Sequence, residues 1–191
     1  MTSESNPFST KFWTPGTIPF RFAEKNESCE RLIEAFERHG GGQIVGPHGS
    51  GKSTLIESLK KVFQRNGYSI RHVTLNDRNR RLPEDFSSPI RKSGVHIVDG
   101  FEQLSAWKRW RLLQQTSERL LIVTHRSIGR LPILYRTAPR FDVFTELVRQ
   151  LGGNDTDEEL RRLFDASEGN FRDAFMALYD RQTAASGRRS T

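Results

Sequence analysis

The chain has one cysteine, two methionines and no long apolar run among its 191 residues. Cys29 alone cannot close an internal disulfide or anchor a zinc cluster, so stability has to come from packing, and the chain suits a reducing cytoplasm. No stretch approaches the roughly 18 apolar residues of a membrane span. Met1 to Thr10 is polar and lacks the apolar core of a signal peptide. Acid is in short supply too: 23 Asp+Glu stand against 30 Lys+Arg, a net charge of +7, and most of the cations are arginine. Such a balance suits an anionic partner such as nucleic acid, nucleotide or acidic lipid, and is silent on fold. A hydrophobic share of 35% is still far from the composition of disorder. The length fits one domain, or one with a small appendage, and contains no internal repeat.

Residues 6–22 interleave three prolines with Phe8, Phe12, Trp13, Phe20 and Phe22 at no regular period, which predicts an irregular arm whose aromatics need a surface to cover. Leu32, Ile33 and Phe36 then keep helical spacing from Glu27 to His39, and Gly40-Gly41-Gly42 ends that helix. Gln43-Ile44-Val45 reads as a short buried strand, and Thr54 to Phe63 as a helix that Asn66-Gly67 stops. Strands are expected at Tyr68 to Leu75, Val95 to Val98, Leu120 to Val123 and Ile133 to Tyr135, with a helix at Ser105 to Thr116. Asn76 to Lys92 is a polar, Arg-rich excursion. Phe141, Phe144, Leu147, Val148 and Leu151 form a further helical stripe, followed by short helices near Thr156 to Ala166 and Asn170 to Arg181. Alternating strands and helices at this spacing predict an α/β domain with a mostly parallel sheet.

The strongest local signal is Gly46-Pro47-His48-Gly49-Ser50-Gly51-Lys52-Ser53-Thr54, which satisfies G-x-x-x-x-G-K-[ST] between a predicted strand and a predicted helix. Small residues let consecutive backbone N–H groups curl around phosphate oxygens, and the helix N-terminus adds partial positive charge where the phosphates lie. Lys52 is placed to reach the β- and γ-phosphates, and the Ser53 hydroxyl to ligate Mg²⁺. The second metal ligand expected of a triphosphate site is Asp99, at the end of the β-branched run Val95-His96-Ile97-Val98. Position 100 is glycine, so no carboxylate follows Asp99 directly. Glu102 is the nearest acid, either turned back toward the γ-phosphate as a base or capping the next helix.

These residues resemble the P-loop ATPases of the AAA+ and STAND superfamily, with GPHGSGKST as Walker A and VHIVDGFEQL as Walker B. The resemblance implies a three-layer sandwich with a reduced C-terminal helical lid. It divides the chain into an aromatic arm (1–26), an ATPase core (27–152), a small lid (153–181) and a basic tail (182–191). In STAND proteins an acidic residue three places after the Walker B Asp joins the metal site, which by analogy gives Glu102 a catalytic place. Leu121-Ile122-Val123-Thr124-His125 resembles the sensor 1 strand, making Thr124 and His125 candidates to position water or sense the γ-phosphate. Gly169-Asn170-Phe171-Arg172 resembles the start of the sensor 2 helix, with Asn170 as its cap and Arg172 facing a phosphate. Arg130, Arg136 and Arg140 fall in the stretch where such proteins carry an arginine finger, and Phe20 or Phe22 is placed to pack near the adenine.

Two further patches, Arg71 to Arg81 and Trp107-Lys108-Arg109-Trp110-Arg111, combine cations with aromatics in a way that suits nucleic acid. Trp107 and Trp110 also share a helical face with Leu113 or Gln114, which makes one or both core candidates; Arg188-Arg189 is a weaker basic pair. The expected function is Mg-dependent ATP binding with hydrolysis, as an ATPase or ATP-driven switch in the cytoplasm, working with a protein partner or further copies of itself. The alternatives are a small-molecule or nucleotide kinase, with Arg126 to Arg140 as its lid, and a non-hydrolysing ATP-binding regulatory module.

Overall fold

The computed structural model describes residues 6–86, 88, 94–115 and 119–187, so Arg188-Arg189, the end of the basic tail and the end of the Arg-rich excursion lie outside the described residues. The chain divides into two compact units. One comprises Phe22–Gly46 and Leu55–Thr137, the other Met1–Arg21, Pro47–Thr54 and Ala138–Thr191.

In the first unit, strands β1 (Gly41–Val45), β2 (Ser69–Thr74), β3 (Gly94–Asp99), β4 (Leu120–Thr124) and β5 (Ile133–Arg136) form one sheet in the order β2-β3-β4-β1-β5. Every pairing is parallel. The three central strands are buried along their length, which is why β3 and β4 read as continuous apolar runs rather than alternating ones. Edge strands β2 and β5 stay partly exposed.

Helices α1 (Cys29–His39), α2 (Lys52–Arg65) and α3 (Ala106–Gln115) supply the outer layers. Leu32, Ile33 and Phe36 of α1 and Leu59 and Phe63 of α2 meet Ile44, Leu121 and Leu134 on one face, with Phe36 and Phe63 edge to face at 5.3 Å. The alternate residues of the strands, Val98, Leu120 and Ile122, pack on the other face with Leu75, Phe86, Phe101, Leu104 and Leu112 of α3. The expected helix–sheet–helix layering is therefore present.

Sequence punctuation explains most element ends. Ser28 caps α1 by accepting from the Arg31 amide at 3.3 Å, and Gly40 closes it in the left-handed region at φ 69°. One boundary needs correcting: β1 starts at Gly41, not Gln43. A Cβ at Gly42 would lie 2.4 Å from Leu134 Cγ, and one at Gly41 2.9 Å from the Leu120 carbonyl oxygen. Of the three glycines only Gly40 stops the helix; the other two let neighbouring elements approach the sheet. A second correction concerns α3, where Leu112 is the buried residue while Trp107 and Trp110 are 60% and 52% exposed, so neither tryptophan is core.

The second unit is helical. Helices α4 (Phe141–Gln150), α5 (Asp157–Ala166) and α6 (Phe171–Gly187) bury Phe144, Leu147, Val148, Leu160, Phe164, Ala174, Phe175 and Leu178 around one core. Thr156 and Glu159 form a reciprocal capping box at the start of α5. The arm covers this core as its aromatics required. Phe8 is 3% exposed, Trp13 stacks on Phe175 at 5.3 Å, and the Trp13 indole N–H donates to the Phe8 carbonyl at 2.8 Å. Asn6 secures the end of the arm by donating to the Tyr179 carbonyl at 3.0 Å and to Thr183 Oγ1 at 3.1 Å.

Candidate functional site

Within the sheet unit, parallel register sets the carboxyl ends of three strands level: Val45 of β1 pairs with Thr124 of β4, and Asp99 of β3 pairs with Val123. That edge is where open α/β sheets bind ligands. Asp99 is half-buried, and its backbone carbonyl accepts from the Leu75 amide at 2.8 Å. Gly100 then turns the chain at φ 78°, and a Cβ there would lie 2.3 Å from the Leu75 carbonyl oxygen. No carboxylate can therefore follow Asp99 directly; the next acid falls in a short 3₁₀ turn, Phe101–Gln103.

Glu102 in that turn does not cap α3, whose first turn instead receives the Ser105 hydroxyl at the Lys108 amide, 3.4 Å away. Its carboxylate faces His125: Oε1 lies 3.0 Å from His125 Nε2. Oε2 is buried and has no hydrogen-bond partner among the described residues. His125 Nδ1 in turn meets the Gly46 carbonyl at 3.2 Å. Both ring nitrogens thus face acceptor oxygens. Thr124, by contrast, is 2% exposed and spends its hydroxyl on the turn after β4, donating to the Arg126 carbonyl at 3.1 Å and accepting from the Arg126 amide at 3.4 Å.

The phosphate motif from Pro47 to Thr54 lies in the helical unit. Gly49 and Gly51 both take positive φ, 68° and 87°, the freedom that the glycine positions of the motif supply. Lys52 Nζ donates to the Pro47 carbonyl at 2.5 Å and Ser50 Oγ to the same oxygen at 2.8 Å, so the lysine ammonium is held over its own loop. Two side chains of this unit lie against the loop. Asn170 occupies the space a Cβ on Gly49 would take, its Oδ1 only 1.9 Å from that position, and Phe20 Cε2 lies 3.1 Å from the Cβ position of Gly51. His48 and Ser53 are exposed, Gly49 and Thr54 half-buried.

Asn170 is also the cap of α6: its Oδ1 accepts from the Arg172 amide at 3.1 Å and its Nδ2 donates to Asp173 Oδ2 at 2.6 Å. Arg172 is exposed, and its guanidinium makes no hydrogen bond or ion pair among the described residues. Phe22 is engaged elsewhere, edge to face with Tyr135 at 5.4 Å, which leaves Phe20 as the arm aromatic beside the loop. Of the three arginines in the finger stretch, Arg140 pairs with Asp142, while Arg130 and Arg136 are exposed. No group of three or more His, Cys, Asp or Glu side chains able to hold a metal is found among the described residues. An Mg²⁺ arriving with a triphosphate fits the oxygen donors present, since such an ion keeps waters and takes one or two protein ligands beside the phosphates.

The arrangement has solved counterparts. Cdc6p from Pyrobaculum aerophilum superimposes with a TM-score of 0.61 at 15% identity, over 94% of this chain and 66% of that one. AMPPCP-bound DnaA from Aquifex aeolicus gives 0.52 at 15% identity, over 81% of this chain and 61% of that one. A DnaA bound to AMPPCP and single-stranded DNA gives 0.51 at 14% identity, over 84% and 63%. The fold is that of an AAA+ ATPase domain. No protein-family profile matches the chain, and no curated protein matches it in sequence, so the likeness is one of fold alone. The chain spans about two thirds or less of the length of these AAA+ structures.

Two features of this domain were hidden in the sequence. One is the approach of His125 to Gly46, which joins positions 79 apart in the chain. The other is the seat of Asn170 on Gly49, for which a cap-type residue after Gly169 is the only local signal.

Proposed function

We propose that this domain binds Mg-ATP and hydrolyses it, working as an ATP-driven switch. One observation carries the reading: an intact phosphate motif, both of its inner glycines at positive φ, joins β1, an interior strand of the parallel sheet, to α2. Backbone amides of residues 47–53 and the start of α2 bind the β- and γ-phosphates, and Lys52 turns from the Pro47 carbonyl to the phosphates. Ser53 and Asp99 are the residues that would hold an Mg²⁺, and the ion would supply charge neutralisation to the phosphate oxygens. Glu102 Oε2 orients water and takes its proton as the water oxygen attacks the γ-phosphorus and the bond to the β–γ bridging oxygen breaks, giving ADP and phosphate. Arg172, exposed at the first turn of α6, supplies positive charge to the γ-phosphate, and Phe20 packs against the base. A kinase is disfavoured because Arg126 to Arg140 is a short turn, strand β5 and the few residues that lead to α4, with no helical lid among the described residues. Phosphate release in the absence of any acceptor, lost in Lys52→Ala and Asp99→Ala, is the expected result; consumption of ATP that needs an acceptor would revive the kinase reading. Bound ATP that is never turned over, with or without nucleic acid, would favour the non-hydrolysing module.

A partner is suggested by α3. Trp107 and Trp110 are exposed, Arg111 lies 5.4 Å over the Trp107 ring, and α3 holds no acid. Indoles that stack on bases beside cations that meet phosphates suit single-stranded nucleic acid. Binding of an oligonucleotide, steeply salt-dependent and lost in Trp107→Ala/Trp110→Ala, tests this; equal binding by that variant refutes it. Burial, with Glu30 beside it, pushes the Cys29 thiol up to about 11, which favours its protonated form. No helix among the described residues is long and apolar enough to cross a membrane. Separately, we propose a cytoplasmic location, which a chain with a single cysteine suits.

A further inference from the structure

Residues 76–86 leave the sheet after β2 and carry Arg78, Arg80 and Arg81 on the surface. Their own backbone bonds are local: Asn76 and Asn79 bond each other both ways at 2.9 and 3.0 Å, and the Phe86 amide donates to the Pro83 carbonyl at 3.0 Å. Leu82 and Phe86 give the segment its apolar hold. Among the described residues its polar ties to the sheet come from two side chains, Arg71 of β2 and His96 of β3, which the parallel register sets side by side. Arg71 Nη1 donates to the carbonyls of Asp85, of Phe86 at 3.3 Å and of Ser88 at 3.2 Å, and Nη2 lies 3.8 Å from Asp85 Oδ2. The His96 ring meets Phe86 edge to face at 5.2 Å and makes a hydrogen bond to the Phe86 backbone. Its other nitrogen, Nδ1, is buried without a partner among the described residues, in a side chain only 6% exposed.

A proton added at that nitrogen meets no acceptor. From β2 it faces the guanidinium of Arg71, and from the segment Asp85, whose carboxylate is turned to Arg71. β4 offers only the Arg119 carbonyl, already taken by the His96 amide at 3.0 Å, while the Arg119 guanidinium lies 5.7 Å over Tyr68. α3 contributes the apolar Leu112 to the core that holds Phe86. His72, next along β2 from Arg71 and so on the opposite face, answers instead to Lys60, Glu57 and Asp99. A second buried cation beside Arg71 is costly, and the structure can relieve it by letting one neighbour go. We propose that Arg71 and His96 form an acid-released latch: with the ring neutral they hold residues 76–86 against the sheet, and a proton on His96 Nδ1 undocks the segment. The segment is the part that yields, because β2 and β3 are joined along six register pairs. What the latch controls is the placing of the three exposed arginines and the cover that Phe86 gives the core beneath α3.

Hydrogen exchange of the full chain, followed by mass spectrometry at pH 7.5 and 5.5 and corrected for intrinsic exchange rates, tests this. An undocked ring takes up protons below about pH 6.5, so linkage caps the effect at roughly tenfold at pH 5.5. Between the two pH values residues 76–86 of wild type are expected to lose about three- to tenfold of their protection, while β4 keeps its own. His96→Gln, which retains a donor for the Phe86 backbone and cannot titrate, should hold the segment equally at both. Arg71→Gln, which gives up the carbonyl contacts, should already lower its protection at pH 7.5. Protection of 76–86 that is the same at both pH values in wild type overturns the latch, as does a fall in β4 of the same size. So does an equal fall in His96→Gln, or an Arg71→Gln protein that matches wild type at pH 7.5. If neither variant folds, the wild-type comparison of 76–86 with β4 decides alone.

Discussion

Gly49→Ala is the substitution whose cost the structure specifies most fully. The backbone sits at φ 68°, where an L-residue costs roughly 1–2 kcal/mol. The new methyl would fall 1.9 Å from Asn170 Oδ1, 2.5 Å from its Cγ and 2.8 Å from its Cα. Asn170 cannot stay, and moving it breaks the bond from the Arg172 amide that caps α6, a further loss of about 1 kcal/mol. Together these predict a destabilisation of about 2–3 kcal/mol, or a fall in Tm of about 4–12 °C for a chain of this size. Urea unfolding of wild type, Gly49→Ala, Asn170→Ala and the double variant measures both parts. In the Asn170→Ala background the cost of the methyl should drop without vanishing, because the backbone at position 170 still crowds it from 2.8 Å away. A Gly49→Ala protein within 0.5 kcal/mol of wild type, or one whose penalty is the same with and without the Asn170 side chain, would refute the seat of α6 on the phosphate loop.

The arm and the buried histidines give two further tests. Phe8→Ala removes a 3% exposed ring from the core of the helical unit and should cost about 3–5 kcal/mol by urea unfolding; a loss under 1 kcal/mol would mean the arm is not docked. His96 is held below the ordinary imidazole range by burial and by Arg71, against a hydrogen bond to the Phe86 backbone, and His72 by burial and Lys60, against Asp99 and Glu57. Below about pH 6.5 the unfolded chain binds protons that these folded sites refuse. Their share of stability is therefore complete above that pH and lost as pH falls toward the folded values. The urea midpoint should drop between pH 7.5 and 5.5, and less steeply in His96→Gln; an equal slope in the variant would contradict the assignment.

Much of this molecule was legible in the sequence because its signals are local. The strands of the sheet, the helices and the cap of α6 follow from runs such as Val95 to Val98, from apolar spacing and from Asn170. Gly41 and Gly42 misled because a glycine triplet after a helix looks like one stop, whereas two of the three answer to Leu120 and Leu134, residues far along the chain. Trp107 and Trp110 misled for the converse reason: helical spacing identifies a shared face without saying whether anything covers it, and here Leu112 faces the sheet instead. At the site, Walker A and Asp99 were visible as motifs. Glycine at position 100, which read as a missing carboxylate, is required by the Leu75 carbonyl. The partnership of Glu102 with His125 was out of reach, because it depends on the level at which β3 and β4 end side by side.

The central claim is that the phosphate motif and Asp99 serve one Mg-ATP. Calorimetric titration of the full chain with ATP in the presence of Mg²⁺ tests it most directly. The account predicts one site per chain for wild type, at least a tenfold loss of affinity in Lys52→Ala, and in Asp99→Ala a loss seen with Mg²⁺ and largely absent in EDTA. Affinity unchanged in Lys52→Ala, or no binding by wild type, would contradict it.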